Sequence, residues 1–291
     1  MKKIVFILSL IVLPLAICAQ HYVGVSADVT TACQLDQIDQ TRFSSGGGGQ
    51  IGFTYEFQRN MFIINTGLAV GYTASAQILD SVNGKMPMFD SEGRPFELQY
   101  KIDERHDIAQ QLHFKLPLLM GLQGGHFYGL IGFVFDYTLP AWTVQTAKLY
   151  TAGDYNDRYY DILENMPNHG YHDFERIKSK GKLKYKPDFR ISAELGAQFL
   201  LGNRTRKPKA KLGLFFEYGL TDANSEEIIN NKLYEYNTDQ FLQVNMSHIY
   251  TTNLVYGSRI NNLEVGIRGT ILFNVGGIEP NGGCNCHRRL L

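Results

Sequence analysis

Ionisable residues recur in alternation on three late stretches of the 291-residue chain: Arg190 and Glu194, Lys211 and Glu217, Glu264 and Arg268. In extended chain the side chains of every second residue share a face, so each pair falls on the polar side of its own segment. Two kinds of chemistry fit this arrangement. One is a polar channel; the other is a structural network of paired charges filling an interior only wide enough for side chains. Both signs occur on neighbouring segments, as buried charges require, and that favours the network. A second pattern places Lys178, Lys180, Lys182, Lys184 and Lys186 on one face, in phase with Arg190 and Glu194. Such a stripe could meet an anionic partner, lipopolysaccharide phosphates or an acidic protein. The plainer expectation is a solvated edge strand, which proteins commonly guard with lysine.

Reactive constellations are sparse. His169, His172 and Asp173 sit in a stretch with no helical periodicity to bring them together. Cys284-Asn285-Cys286-His287 has too few ligands, wrongly spaced, for a closed zinc site. The run Gly46 to Gly49 lacks the Lys-Ser/Thr that completes a phosphate loop. A lipid-acting barrel enzyme needs Ser and His together at the membrane face, and the last strand candidate offers neither on its apolar side. No catalytic, cofactor or metal residue is therefore assigned, and a non-enzymatic protein without a cofactor is expected.

The elements that would hold these charges are strands. Twenty-eight basic and 28 acidic residues cancel, which disfavours a nucleic-acid partner. Lys2 and Lys3 followed by an apolar run ending Ile17-Cys18-Ala19 read as a secretory signal, with residues 1–19 expected to be removed. After cleavage Cys33, Cys284 and Cys286 remain, an odd number that argues against a closed disulfide framework. Period-2 alternation predicts eight strands near 21–29, 46–57, 61–74, 108–120, 126–137, 187–201, 208–221 and 261–273. The short connections between them alternate with long ones at 30–45, 75–107, 138–186 and 222–260. Alternating short turns and long loops is the layout of a transmembrane barrel.

The expected fold is thus all-β: an eight-stranded antiparallel up-and-down transmembrane β-barrel over 20–273 with long extracellular loops, and a periplasmic tail over 274–291. A soluble barrel would alternate too, with its apolar face inward. Here the polar face carries opposite charges and many glycines, while Phe189, Phe199, Tyr55, Phe57, Phe62 and Tyr72 lie toward strand ends on the apolar face. That pattern suits lipid outside. Trp142 and Tyr150 are expected to pair with the lysine stripe in a protruding hairpin. Pro117 falls mid-strand and cannot donate to a ladder, so a bulge or distortion is expected there.

Leu112-His113-Phe114-Lys115-Leu116-Pro117-Leu118-Leu119-Met120, Tyr128-Gly129-Leu130-Ile131-Gly132 and Phe216-Glu217-Tyr218-Gly219-Leu220-Thr221-Asp222 resemble, in this order, segments of the PorT-like outer-membrane barrels of the Bacteroidetes. The Ala19-Gln20 junction is similar to signal junctions of that phylum. The resemblance implies an eight-stranded barrel in the cell outer membrane, in contact with outer-membrane lipid and lipopolysaccharide. Some members of the group are accessory parts of a secretion system, so an interaction subunit of a secretion, assembly or uptake complex, with other envelope proteins as partners, is the expected role. A narrow passive pore and a hydrolytic enzyme at the barrel rim are the alternatives.

Overall fold

The computed structural model describes residues 19–35, 41–42, 45–90, 92–155, 162–201, 208–222, 234–236, 244–246 and 260–276. The expected signal segment, apart from Ala19, lies outside these residues, as do His248, Cys284, Cys286 and most of the expected tail.

The described residues form fourteen strands: β1 Gln20–Leu35, β2 Thr41–Arg42, β3 Ser45–Arg59, β4 Phe62–Leu79, β5 Val82–Phe89, β6 Pro95–Gly124, β7 Phe127–Thr138, β8 Ala141–Asp154, β9 Asp173–Leu183, β10 Asp188–Leu200, β11 Lys209–Gly219, β12 Tyr234–Tyr236, β13 Val244–Met246 and β14 Asn261–Gly276. Twelve belong to one antiparallel sheet, and β12 and β13 form a separate pair. The sheet closes on itself. β1 pairs with β3, β3 with β4, β4 with β6, β6 with β7, β7 with β10, β10 with β11 and β11 with β14, which returns to β1. Closure leaves no unpaired edge around this ring. The turn between β3 and β4 uses Asn60 at φ 53°, and the turn between β6 and β7 uses Gly125 at φ 58°. These left-handed positions suit tight hairpins, and Asn and Gly adopt them most readily.

Burial runs opposite to that of a water-soluble barrel. In β11, Leu212, Leu214 and Phe216 are exposed, while Lys211, Phe215 and Glu217 are buried. In β14, Val265, Ile267, Ile271 and Phe273 face outward and Glu264 and Thr270 inward. The outward side chains of β6, β7 and β10 continue the belt with Phe114, Leu116, Leu118, Met120, Leu122, Phe127, Ile131, Phe133, Phe135, Phe189, Ile191 and Leu195.

The expected loops are corrected, since each contains strand residues. Strand β6 begins at Pro95, inside the expected loop 75–107, and β4 runs on to Leu79. Within 138–186, β8 and β9 form an antiparallel pair that opposes Trp142 to Lys182 and Tyr150 to Asp173. β1 likewise continues to Leu35, so Cys33 is a buried strand residue rather than a loop residue. The physical reason is that β6 is long enough to leave the ring and serve as a spine. Its lower half pairs with β4 and β7, its upper half with β5 and β8. This extension has its own apolar core of Leu79, Phe96, Leu98, Ile102, Ala147, Leu149, Tyr171 and Leu183.

Ring and extension therefore have interiors of opposite polarity, and the switch is a bulge. Glu104 sits at φ 49°, and the register between β6 and β8 shifts between Asp103 and His106. Below it the odd-numbered Arg105, Asp107, Gln111 and His113 are buried; above it the even-numbered Phe96, Leu98 and Ile102 are. One extra residue flips every later side chain to the other face. At this neck Arg105 Nε and Nη2 each donate to an oxygen of Asp107 at 2.7 Å.

Pro117 produces no bulge. Its register with Val134 of β7 is regular, and only the ladder toward β4 lapses, between the pairs Thr66–Leu118 and Ala69–Lys115. Thr66 Oγ1 donates to the Pro117 carbonyl at 2.8 Å, so that carbonyl keeps a partner where the ladder lapses.

Candidate functional site

The inward side chains of the ring form a continuous polar network. Near its middle, Lys115 Nζ of β6 donates to Glu217 at 2.8 Å and to Glu264 at 2.6 Å, joining strands on opposite sides of the lumen. Arg190 of β10 pairs with Asp136 and Glu264, reaches Asp188 at 3.2 Å, and lies 3.9 Å from Glu217. Arg268 of β14 extends its guanidinium to Asp28 at 3.1 Å, Glu194 at 2.9 Å and Glu217 at 3.2 Å. Toward the short-turn end, Glu56 pairs with Lys211 and accepts from Lys209 at 3.0 Å. Lys209 also donates to Gln58 at 2.8 Å.

Aromatic rings fill what the charges leave. The Arg268 guanidinium lies over Phe215 at 4.4 Å, Lys211 over Tyr128 at 4.4 Å and Lys209 over Tyr22 at 4.3 Å. Cation–π contacts of this kind strengthen where water is excluded. The Tyr128 hydroxyl donates to Glu194 at 2.6 Å. Two glycines make this packing sterically possible. A Cβ on Gly71 would lie 2.1 Å from the His113 ring, and one on Gly213 would lie 2.4 Å from the Tyr128 hydroxyl. Within the ring a cavity of about 40 Å³ remains beside Lys115, Glu194, Lys211, Glu217 and Arg268. That is room for a few waters at most.

The six lumen residues that alternation points to thus lie in one connected cluster, with Arg190, Glu194, Lys211, Glu217 and Glu264 buried and Arg268 nearly so. Lys115, Asp28, Glu56, Asp136, Asp188 and Lys209 complete it and were not singled out. Their parity could have found them: Lys115 is in phase with His113, and Lys209 with Lys211.

The lysine stripe lies elsewhere. Lys178, Lys180 and Lys182 are exposed on β9, which ends the bonded order of the sheet. Lys184 and Lys186 follow β9 and interact within the chain. His169 closes a short 3-10 turn, Pro167–His169, and His172 packs edge-on against Phe174. Among the described residues no group of His, Cys, Asp and Glu side chains is placed to hold a metal ion. The run Gly46 to Gly49 is a paired part of β3, bonded to β1 and mostly to β4 as well.

No family model and no curated protein matches the sequence. Among solved structures the chain is similar to the crystal structure of Neisserial surface protein A (NspA), at 9% identity and a TM-score of 0.27, over 87% of this chain and 97% of that one. That likeness is too loose to bear on the function of this chain.

Proposed function

We propose that the ring is an eight-stranded transmembrane barrel of the bacterial outer membrane, related to the PorT-like group, with its extension outside the cell. The observation that carries this reading is the inverted burial. Leu214 is 64% exposed and Val29 73%, while Glu217 is 1% exposed. Apolar patches on soluble monomers rarely exceed a few hundred Å², and an encircling belt needs an apolar solvent. Closure supports the same conclusion, because unpaired backbone is not tolerated in hydrocarbon. Eleven residues of a tilted strand rise about 25–30 Å, comparable to the apolar band of such barrels.

The barrel is non-enzymatic in this reading, and its lumen is a plug. The exposed working surface is the extension, whose strands give an interaction subunit of an envelope complex a rigid platform. Nitroxide labels at Leu214 and Ile191, in protein reconstituted into lipid vesicles, test the central claim. Relaxation by lipid-soluble oxygen is expected at both sites. Relaxation by a water-soluble reagent instead would exclude the membrane orientation.

A further inference from the structure

The outer face of the extension, above the apolar belt, has an unusual composition. Counted upward from the Phe114 level, three cross-strand rows cover it: Ala74, Gln110, Trp142 and Lys182; Ala76, Ile108, Val144 and Lys180; Ile78, His106, Thr146 and Lys178. None of these rows contains a carboxylate. Lys178, Lys180 and Lys182 are all exposed, and among the described residues none of the three makes an ion pair. Trp142, directly opposite Lys182, is 53% exposed. An apolar strip with an indole at its base therefore rises out of the belt, flanked by a ladder of unneutralised lysines.

We propose that this face binds a phosphorylated glycolipid of the outer leaflet, with the lysines contacting phosphates on its sugar headgroup. The inference rests on the membrane orientation proposed above. Gln110 lies four residues and His106 eight residues beyond Phe114, so the lysine rows stand about 10 to 20 Å above that ring at ordinary strand rise and tilt. A simple phospholipid carries its phosphate at the membrane surface, below most of the ladder. A phosphorylated glycan projecting from the bilayer spans it. Ala74 and Trp142 link the row of Ala76, Ile108 and Val144 to the lipid belt below, so the ligand's anchored end approaches from a surface already facing acyl chains. Trp142 occupies the boundary, where amphipathic rings are favoured.

The test starts from the full chain inserted into phosphatidylcholine vesicles, with insertion checked by protection of the ring from protease. Vesicles are then made with added rough-type lipopolysaccharide bearing core phosphates, with its dephosphorylated form, or with phosphatidylglycerol. Glycolipid retained per protein after extraction is read by native mass spectrometry. Wild-type protein is expected to retain the phosphorylated glycolipid over both other lipids. The K178Q/K180Q/K182Q variant is expected to lose on the order of tenfold in retention, reduced by salt screening from the full effect of three surface lysines. K85Q, which removes the lysine of an exposed ion pair on β5, away from these rows, is expected to retain it. Equal retention by the triple variant overturns the proposal, as does equal retention of the dephosphorylated lipid or of phosphatidylglycerol. Self-association of the triple variant with unchanged retention assigns the lysines to edge protection instead. Failure to enter phosphatidylcholine vesicles at all refutes the membrane reading, separately from the lipid preference.

Discussion

Single lumen residues bear unequal weight. Arg190 is buried among Asp136, Asp188, Glu217 and Glu264, so replacing it by methionine takes the cation from Asp136 and Asp188 in a closed interior, while Glu217 and Glu264 keep Lys115. Breaking a buried pair by removing one partner costs about 3–5 kcal/mol. Arg190→Met is therefore expected to lower the urea midpoint of the folded barrel in detergent by that order. Lys148→Met, which breaks a 2.7 Å pair with the exposed Glu104, is expected to change it by less than about 1 kcal/mol. A different residue-scale effect belongs to Asp90. Its carboxylate accepts backbone N–H bonds from Arg94 at 2.8 Å and Glu92 at 2.9 Å. The Arg94 bond foremost holds its pKa below the ordinary value of 3.8. A depressed folded value means the stabilisation is complete above the ordinary carboxylate range and is lost as pH falls through the folded pKa. Amide exchange at Glu92 and Arg94 should thus accelerate on strong acidification, and Asp90→Asn should show the faster exchange already at neutral pH.

At the scale of elements, β6 decides the architecture. Deleting Glu104 removes the bulge and should turn Phe96, Leu98 and Ile102 outward while leaving Lys115 in the lumen. The expected outcome is an extension sensitive to protease around an intact, protease-resistant ring. Glu104→Gly, which keeps the count and relieves a non-glycine residue at φ 49°, should instead leave the extension as protease-resistant as the parent. This bulge also explains what could not be read in advance. Strands β10, β11 and β14 were legible because each keeps strict apolar-out, charged-in alternation. Phe96, Leu98, Tyr100 and Ile102 alternate as clearly, but the phase breaks at Asp103-Glu104-Arg105, where a cluster of charges resembles a loop. In β8 the buried positions include Thr143, Gln145 and Thr151, which carry little hydrophobic signal. Lumen carboxylates on early strands, such as Asp28 and Glu56, were hidden for a related reason, since their strands are rich in glycine and threonine.

For the whole molecule, ion pairs joining opposite walls of the ring should make the barrel electrically quiet. In planar bilayers the reconstituted protein is expected to pass no steady current. Steady conductance altered by Glu217→Gln would instead assign the lumen to a pore. The ring's last pairing has a further consequence. Val23 of β1 meets Phe273 of β14, residues separated by nearly the whole length of the chain. Until β14 has been made and delivered, its two neighbours β1 and β11 have bare edges, and each could join another chain's sheet instead. Construction therefore cannot finish in step with synthesis, and cells making this protein need an escort that shields the two unfinished rims until they meet.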